Sequence, residues 1–567
     1  AQDISFAASA GGSLGDSGNG VAVDASGDMY VVGHFEVAAV FAEGQPQEVT
    51  IESEGPFDLF VAKYSQTGAL NWVIRDGGGG VEQAFGVAID SDGFIVVGGL
   101  FADSSVFGRG QTNETLLVES PNADHNGFVA RYSPAGSLEW VKWAGNNQAR
   151  EVAVDPSNNV YVTGFYADSA TFGAGEPNEM TLLGDETSND GFLAKFSSTG
   201  SFRWATAISG PGFDAAHSLS TDALGNIYVA GHFEEGAIIG AGDQTETTLS
   251  SDGETDGFVA QYDSAGVLNW VRTFGGLEAD AVYSIASNSE GMVAIAGSFR
   301  GTAIFGEGDP NEKMLVSAGL ADLFVASLQS DGEFLWTTGS GGTGDDLAFG
   351  VDISPASVVV STGGFEGSAT FGAGESGETI LTSSGTNDIY VSKHDSSGSL
   401  LWAKRNGSLS SREFGEFGLD IEIDNVDNIV GVGLFEGAAT FGSGEPGQTL
   451  LTSSGDSDAF LLKYGDAVPT SIEEGDEVLR PSLEVAGYPN PFVDKTVIRY
   501  FLPIGSNVRV SVYDALGRLI EVLSNRYEKA GWQQTALDAS NLPAGLFLGR
   551  VESHGLAETV VLFHVGS

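Results

Sequence analysis

Cysteine is absent from this chain. Disulfide bonds, thiolate metal sites and cysteine nucleophiles are therefore excluded. The absence does not assign a compartment, because a large β core needs no covalent staples. Basic residues are scarce: Lys and Arg total 24 against 77 Asp and Glu, for a formal charge of −53, and only nine lysines occur. That balance excludes a nucleic-acid partner, since phosphate backbones require a positive surface. It also excludes docking on an anionic membrane, and fits a salty habitat where charges are screened over roughly 3–8 Å. No apolar run approaches 18 residues, so no transmembrane segment is expected. The chain opens on Ala1 without a charged-then-apolar leader, which suggests a signal already removed or omitted.

Glycine, by contrast, is plentiful: 81 of 567 residues, about twice the usual share of roughly 7%. Apolar residues still make up 41%, which excludes a disordered acidic chain. Many short strands joined by many turns are expected.

An internal repeat organises most of the chain. One aromatic series runs Phe60, Phe128, Phe192, Phe258, Phe324, Tyr390 and Phe460, each in a run such as LFVAKYS or GFLAKFS. Twelve residues later comes a tryptophan: Trp72, Trp140, Trp204, Trp270, Trp336 and Trp402. The first series has seven members and the second six. A hairpin signature recurs as VAVDASGDMYVVG at 21–33 and VAVDPSNNVYVTG at 152–164. A segment of the form FRGTAIFGEG, at 299–308, precedes a Leu/Ser-rich stretch such as TLLTSSG at 449–455.

Each unit thus holds four strands: VAVD-like, YVVG-like, FVAKY-like and LNWV-like. The first three are apolar at nearly every position, as in a sheet covered on both faces. Seven four-stranded sheets around an axis make a β-propeller. The missing seventh tryptophan strand is supplied by the N-terminus, where DISFAASAGG at 3–12 matches LNWVIRDGGG at 70–79 with Phe6 in the tryptophan place. The expected fold is all-β: a seven-bladed β-propeller over 1–465, closed by the N-terminal strand so that no sheet edge is left open. These strings resemble the SBBP-type β-propeller repeats of bacterial secreted and surface proteins. The resemblance implies a fold and says little of function.

Residues 466–487 carry proline and acids without periodicity and read as an acidic linker. From 488 to 567 the style changes. Alternating Val508, Val510 and Val512, and turn signals DALG and LPAG, predict a small Ig-like β-sandwich of about seven strands. This tail resembles the C-terminal sorting domain of the type IX secretion system. The matching residues are Tyr488, Pro489, Asn490, Pro491 and Phe492, then Gly517 and Arg518 after Tyr513-Asp514, then Leu542, Pro543 and Gly545. The resemblance implies export across the outer membrane to the cell surface or medium. It also implies two partners for residues 488–567, the type IX translocon and its outer-membrane shuttle protein.

Candidate chemistry is thin. No H-E-x-x-H, G-x-S-x-G or P-loop string appears. His34 and His232 share one repeat position that other units fill freely, which marks it as structural. The six tryptophans are expected to pack between blades rather than stack on glycans. The residue two before each third-strand aromatic is Asp58, Asn126, Asp190, Asp256, Asp322, Asp388 and Asp458. Loops before the first strands carry Asp16, Glu82, Asp214, Asp280 and Asp346. Both sets belong on one rim. Oxygen clusters suit Ca²⁺, with Asp58, Asp190, Asp256, Asp322, Asp388 and Asp458 as its ligands; the plainer reading is local turns made with the backbone. No other cofactor is indicated. The expected role is non-enzymatic: a binding or scaffold module for an unnamed surface, glycan or protein ligand. The alternatives are a self-associating subunit of a filament or surface layer, and a polysaccharide-acting enzyme.

Overall fold

The computed structural model describes residues 2–119, 125–184, 188–408, 415–465 and, with short interruptions, 484–565. Every element among them is a β-strand, and the chain divides into two units, Ala1–Val468 and Pro469–Ser567. No helix is long and apolar enough to cross a membrane.

The first unit is a propeller-like assembly of antiparallel sheets. In the first repeat, Ser17–Val23, Met29–Phe35, Asp58–Tyr64 and Leu70–Gly78 pair in chain order. The two middle strands are buried almost throughout, as their unbroken apolar runs predict. The hairpin between first and second strands is fixed by an aspartate. Asp24 Oδ1 accepts the N–H groups of Ser26 and Asp28, and Asp155 and Asp222 repeat the arrangement.

In the last repeat, Phe417–Ile423, Ile429–Phe435 and Asp458–Gly465 are followed in the sheet by Asp3–Gly11, with Ala7 opposite Leu462 and Ala10 opposite Ala459. Ile4 is fully buried there among Phe435, Phe441 and Phe460. First strands of successive repeats pack side by side, and Phe417–Ile423 lies against Ser17–Val23.

Five of the six repeat tryptophans face the glycine that turns the next repeat from third to fourth strand. Gly136, Gly200, Gly266, Gly332 and Gly398 have φ of +77 to +88° and lie so close to Trp72, Trp140, Trp204, Trp270 and Trp336 that a Cβ would collide or crowd the ring. Gly68 meets Phe6 in the same way. Trp140 and Trp270 donate their indole N–H to Ser198 and Ser330 carbonyls at 2.9 and 3.0 Å. The aromatics are therefore packing plates between repeats.

The long excursion between second and third strands is itself a hairpin. Ala38–Phe41 pairs with Val49–Glu52, and its tip end reaches back to the fourth strand of the preceding repeat, setting Phe41 opposite Ala10. Ser105 opposite Gly78, Ile239 opposite Ile208 and Ile304 opposite Gly275 repeat the contact, and bridges Thr370–Gly341 and Thr440–Gly407 continue it. Each such hairpin straps one sheet to its neighbour. The exception is the junction at Leu138–Val154. There the connection from Trp140 to the first strand is three residues shorter than those after Trp72, Trp204, Trp270 and Trp336, fourth and first strands run on as one, and the hairpin Ser169–Phe172 with Met180–Leu183 forms a separate two-stranded sheet.

The second unit has two sheets. Glu484–Tyr488, Lys495–Leu502 and Gly531–Asp538 form one. Leu519–Glu528, Ser506–Asp514, Gly545–Ser553 and Leu556–His564 form the other. Val508, Val510 and Val512 point into a core with Ile498, Tyr500, Phe547, Val551 and Leu562.

Candidate functional site: the channel mouth and the junction acids

The first strands of the repeats line a central channel. Each contains one irregularity, at the same place. The ladder skips a residue between Gly18 and Gly20, Ala84 and Gly86, Ala149 and Glu151, Ala216 and Ser218, Val282 and Ser284, Ala348 and Gly350, and Gly418 and Asp420. The skipped residues are Asn19, Phe85, Arg150, His217, Tyr283, Phe349 and Leu419. A bulge re-aims the side chain that leaves the ladder. All seven line one cavity of about 280 Å³, together with Glu151, Ser284 and Asp420. Here the repeats, so alike elsewhere, carry seven residues of which only phenylalanine occurs twice.

The ring is interlocked. Arg150 Cζ lies 4.9 Å from the Phe85 ring centre, His217 lies 5.5 Å from Tyr283, and Tyr283 lies 5.4 Å from Phe349. The two histidines set aside as structural stand directly behind it. His34 Nδ1 is 3.1 Å from Asn19 Nδ2, and His232 Nδ1 is 3.0 Å from His217 Nε2. Burial holds His34 and His232 at about 4 and pushes His217 well below the usual histidine range, so all three stay neutral near pH 7.

Deeper in the channel lie Asp352 and Glu422, bordering a second cavity of about 290 Å³ reached also by Glu151 and Asp420. Burial raises all four carboxyls: Glu151 to about 8, Asp420 and Asp352 to about 7 and 6, and Glu422 well above the ordinary value. All four serve the backbone, Glu422 through Val23 N. Asp420 accepts from Val21 N and Ile421 N, Asp352 from Ile423 N and Ile353 N, and Glu151 from Val152 N. Ser218 and Ser284 do the same for Ile285 N and Val351 N. The innermost strand of each sheet has an unpaired edge, and Asp420, Asp352, Ser218 and Ser284 cap its N–H groups from the neighbouring repeat.

The two sets of rim acids come together, but as buried pairs at the junctions between repeats. Asp58 meets Glu82, Asp190 meets Asp214, Asp256 meets Asp280, Asp322 meets Asp346, Asp388 meets Glu416, and Asp458 meets Asp16. The first-named aspartates use one oxygen on backbone N–H groups four residues upstream: Glu54 to Asp58, Asp252 to Asp256, Ala318 to Asp322 and Ser384 to Asp388. Asp58 and Asp388 also receive Arg75 and Arg405. The second-named acids hold loop and strap N–H groups, as Asp346 holds Gly342 N at 2.7 Å and Glu366 N at 3.2 Å. Buried oxygens are left over: Asp58 Oδ1, Asp256 Oδ1, Asp280 Oδ2, Asp322 Oδ1, Asp388 Oδ1 and Asp214 Oδ2. They converge beside a glycine. A Cβ at Gly77 would stand 2.7 Å from Asp58 Oδ1 and 3.0 Å from Glu82 Oε2; at Gly407 it would stand 2.8 Å from Asp388 Oδ1 and 2.7 Å from Glu416 Oε2.

A shared proton fits such a pair without further ligands, as in any two carboxyls forced together. Burial accordingly lifts Asp16, Asp214 and Asp280 to about 8, and Glu82, Asp346 and Glu416 to about 7. Ca²⁺ takes six to eight oxygens. Among the described residues no three acids or histidines converge on one point, and the remaining neighbours of each pair are largely N–H donors. The calcium expectation is thus offered two carboxylates per site. Adding EDTA is expected to leave the unfolding midpoint within about 1 °C, and millimolar Ca²⁺ to leave it equally unmoved; a rise of several degrees with Ca²⁺ alone would instead place the ion between the carboxylates.

In the second unit, Phe492 is buried, donates its N–H to the Phe563 carbonyl at 2.9 Å, and stacks on His564 with ring centres 5.2 Å apart. His564 Nδ1 lies 2.9 Å from the Pro543 carbonyl, and Leu542 packs on the same core. Arg518 closes its turn on Asp514 at 2.7 Å. Pro489, Asn490, Pro491 and Gly517 lie outside the described residues. Phe492 and Pro543 thus fasten the strand Leu556–His564 to the sandwich core, while Arg518 fixes a turn.

Over 484 residues the chain is 21% identical to an uncharacterized WD repeat-containing protein of Acanthamoeba polyphaga mimivirus, an alignment covering 74% of this chain and 34% of that protein. The chain therefore spans about a third of that relative's length. Among solved structures, PorZ, a surface component of the type-IX secretion system of Porphyromonas gingivalis, aligns over 98% of this chain and all of its own at 11% identity and a TM-score of 0.18. Salmonella alpha-2-macroglobulin aligns over 100% of this chain and 52% of its own, at 6% identity and a TM-score of 0.14. Residues 486–562 match the family described as the secretion system C-terminal sorting domain. The tail is therefore a type IX sorting domain, and the chain that carries it is exported to the cell surface or the extracellular space.

Proposed function

We propose that this chain is a surface-displayed, non-enzymatic binding module: a seven-bladed propeller of the SBBP repeat type closed by its N-terminal strand, followed in the chain by an Ig-like sandwich, with the channel mouth as its recognition site. The translocon and shuttle protein of the type IX system are the partners of residues 488–567. The observation that carries the reading is the ring of seven bulged residues, Asn19 to Leu419, unlike one another in repeats that are otherwise alike. A side chain on a bulge is free of ladder duty, so its identity answers to what it meets in the channel. Support for a non-enzymatic role lies in the channel carboxyls, which, though they border the cavities, are engaged with backbone N–H groups.

The test compares wild type with a Phe85→Ala, Tyr283→Ala, Phe349→Ala variant on glycan arrays and in surface-partner capture. Loss of at least tenfold in binding at an unchanged unfolding midpoint is expected. Equal binding by both proteins sinks the reading.

A second reading, self-assembly, has one observation of its own. The straps expose a recurring apolar residue on their outer face: Leu116, Val118, Met314, Val316, Ile380 and Leu450 are each more than half exposed. Unpartnered apolar rows mark contact surfaces. Light scattering of the full chain in high and low salt separates the two, since only assembly yields particles that grow with concentration.

A further inference from the structure

The ring contains one guanidinium, and among the described residues no carboxylate is in ion-pair contact with it; the acid that acts on it from a longer separation is Glu151, whose own carboxyl burial raises to about 8. Most partly buried basic groups of the first unit are matched: Arg75 with Asp58, Arg131 with Asp90, Lys195 with Asp155, Lys404 with Glu445, Lys463 with Asp424, while Lys393 bonds Gln2 Oε1 at 2.9 Å instead. Arg150 forms no ion pair among the described residues, in a chain with 77 acids. Of its five N–H donors, one reaches Gln148 Oε1 at 3.2 Å. Its plane is propped on Phe85. The carboxyls nearest to it are engaged elsewhere, Glu151 with Val152 N and Asp420 with Val21 N and Ile421 N.

Across the cavity, Tyr283 and Phe349 form an aromatic wall, with His217 edging it. The space between, about 280 Å³, holds one ring-sized body. A guanidinium facing such a space presents a fork that matches a carboxylate. A single cation matches a monoanion. A phosphate dianion would leave a charge uncompensated above the acids of the deeper channel.

The geometry points to a ring-sized carboxylate as the ligand of the channel mouth, its charged group on Arg150 and its ring against Phe85, Tyr283 and Phe349. This rests on the mouth being the recognition site. An acidic sugar such as a uronate and an aryl or arylalkyl carboxylate share that chemistry, and the assay tells them apart.

Calorimetric titration of the full chain at pH 6.5 would use galacturonate and phenylacetate, their uncharged counterparts galactose and benzyl alcohol, and inorganic phosphate. One carboxylate is expected to bind at least tenfold more tightly than its uncharged counterpart. Arg150→Met is expected to weaken it at least tenfold, Arg150→Gln similarly, both with an unchanged unfolding midpoint. Equal binding of charged and uncharged partners, undiminished binding by both Arg150 variants, or preference for phosphate overturns the inference. If galactose binds and needs Tyr283, the mouth remains the recognition site and only the carboxylate assignment falls. If no probe binds and the triple aromatic variant also captures partners normally, both fall.

Discussion

Removing residues 1–11 is expected to lower the unfolding midpoint of the full chain by roughly 10 °C or more. The strand Asp3–Gly11 pairs along its length with Asp458–Gly465 and buries Ile4 completely. Its ladder bonds are worth about 1 kcal/mol each and its buried side chains about 1.5–3 kcal/mol each, so the loss is on the order of 5–10 kcal/mol. The truncated chain also bares a long apolar edge at Asp458–Gly465, which should show as concentration-dependent aggregation. Two further contacts go with the strand: the strap strand Ala38–Phe41 loses its partner at Ala10, and Gly68 loses the Phe6 plate. Phe6→Ala in the full chain isolates the last of these and should cost about 1–3 kcal/mol. Calorimetric scans of the three proteins decide the matter. A truncated protein that melts at the wild-type temperature would mean that the last sheet stands without the first strand, and ring closure would fall with it.

Stability is expected to drop as pH rises from 6.5 to 8.5. Burial raises one acid of each junction pair to about 7 or 8, whereas an unfolded carboxyl titrates near 4. The folded state therefore keeps protons that the unfolded chain has already released. The stability this contributes is fully present below about pH 4 and is lost as pH climbs through the folded values. The interval from 6.5 to 8.5 is chosen because the buried histidines, held at about 4 or lower, stay neutral across it. An Asp214→Asn, Asp280→Asn, Asp346→Asn variant replaces the shared proton of three pairs by an amide donor, and the pH slope of its midpoint should fall by about a third, the other three pairs and the channel carboxyls Glu151, Asp420 and Glu422 keeping the rest. Mutual repulsion among the other acids gives a slope of the same sign, but three substitutions barely change a charge of −53. An unaltered slope in the variant would assign the whole effect to that repulsion, and a midpoint that rises with pH in wild type would remove the paired protons altogether.

Much of this architecture was legible in the chain because it repeats. The tryptophan series and the turn glycines recur at one spacing, and Phe6 could be recognised in the tryptophan place because the residues around it fit the same string. The straps were visible as a recurring FRGTAIFGEG-type segment, but not as straps. Their reach to the preceding sheet spans only a residue or two, Ile304 opposite Gly275 for example, and so short a ladder leaves no periodic trace. The rim acids were assigned to one face, yet their burial was not foreseen, because each pair joins residues of different repeats, as Asp256 joins Asp280. The channel mouth was missed for a different reason. Likeness among repeats draws the eye to the shared strings, whereas the informative column is the one where likeness fails: Asn19, Phe85, Arg150, His217, Tyr283, Phe349, Leu419. A bulge adds a residue without altering the hydrophobic pattern, so only aligning the units against one another exposes it.

That placement bears on how such a chain can change. Each of the seven positions stands outside the hydrogen-bonded lattice, and all converge on the same opening. Under the proposed reading, exchanging one alters the lock without touching the barrel that holds it, so new specificities are open to point substitution, singly or in combination, at little expense to folding.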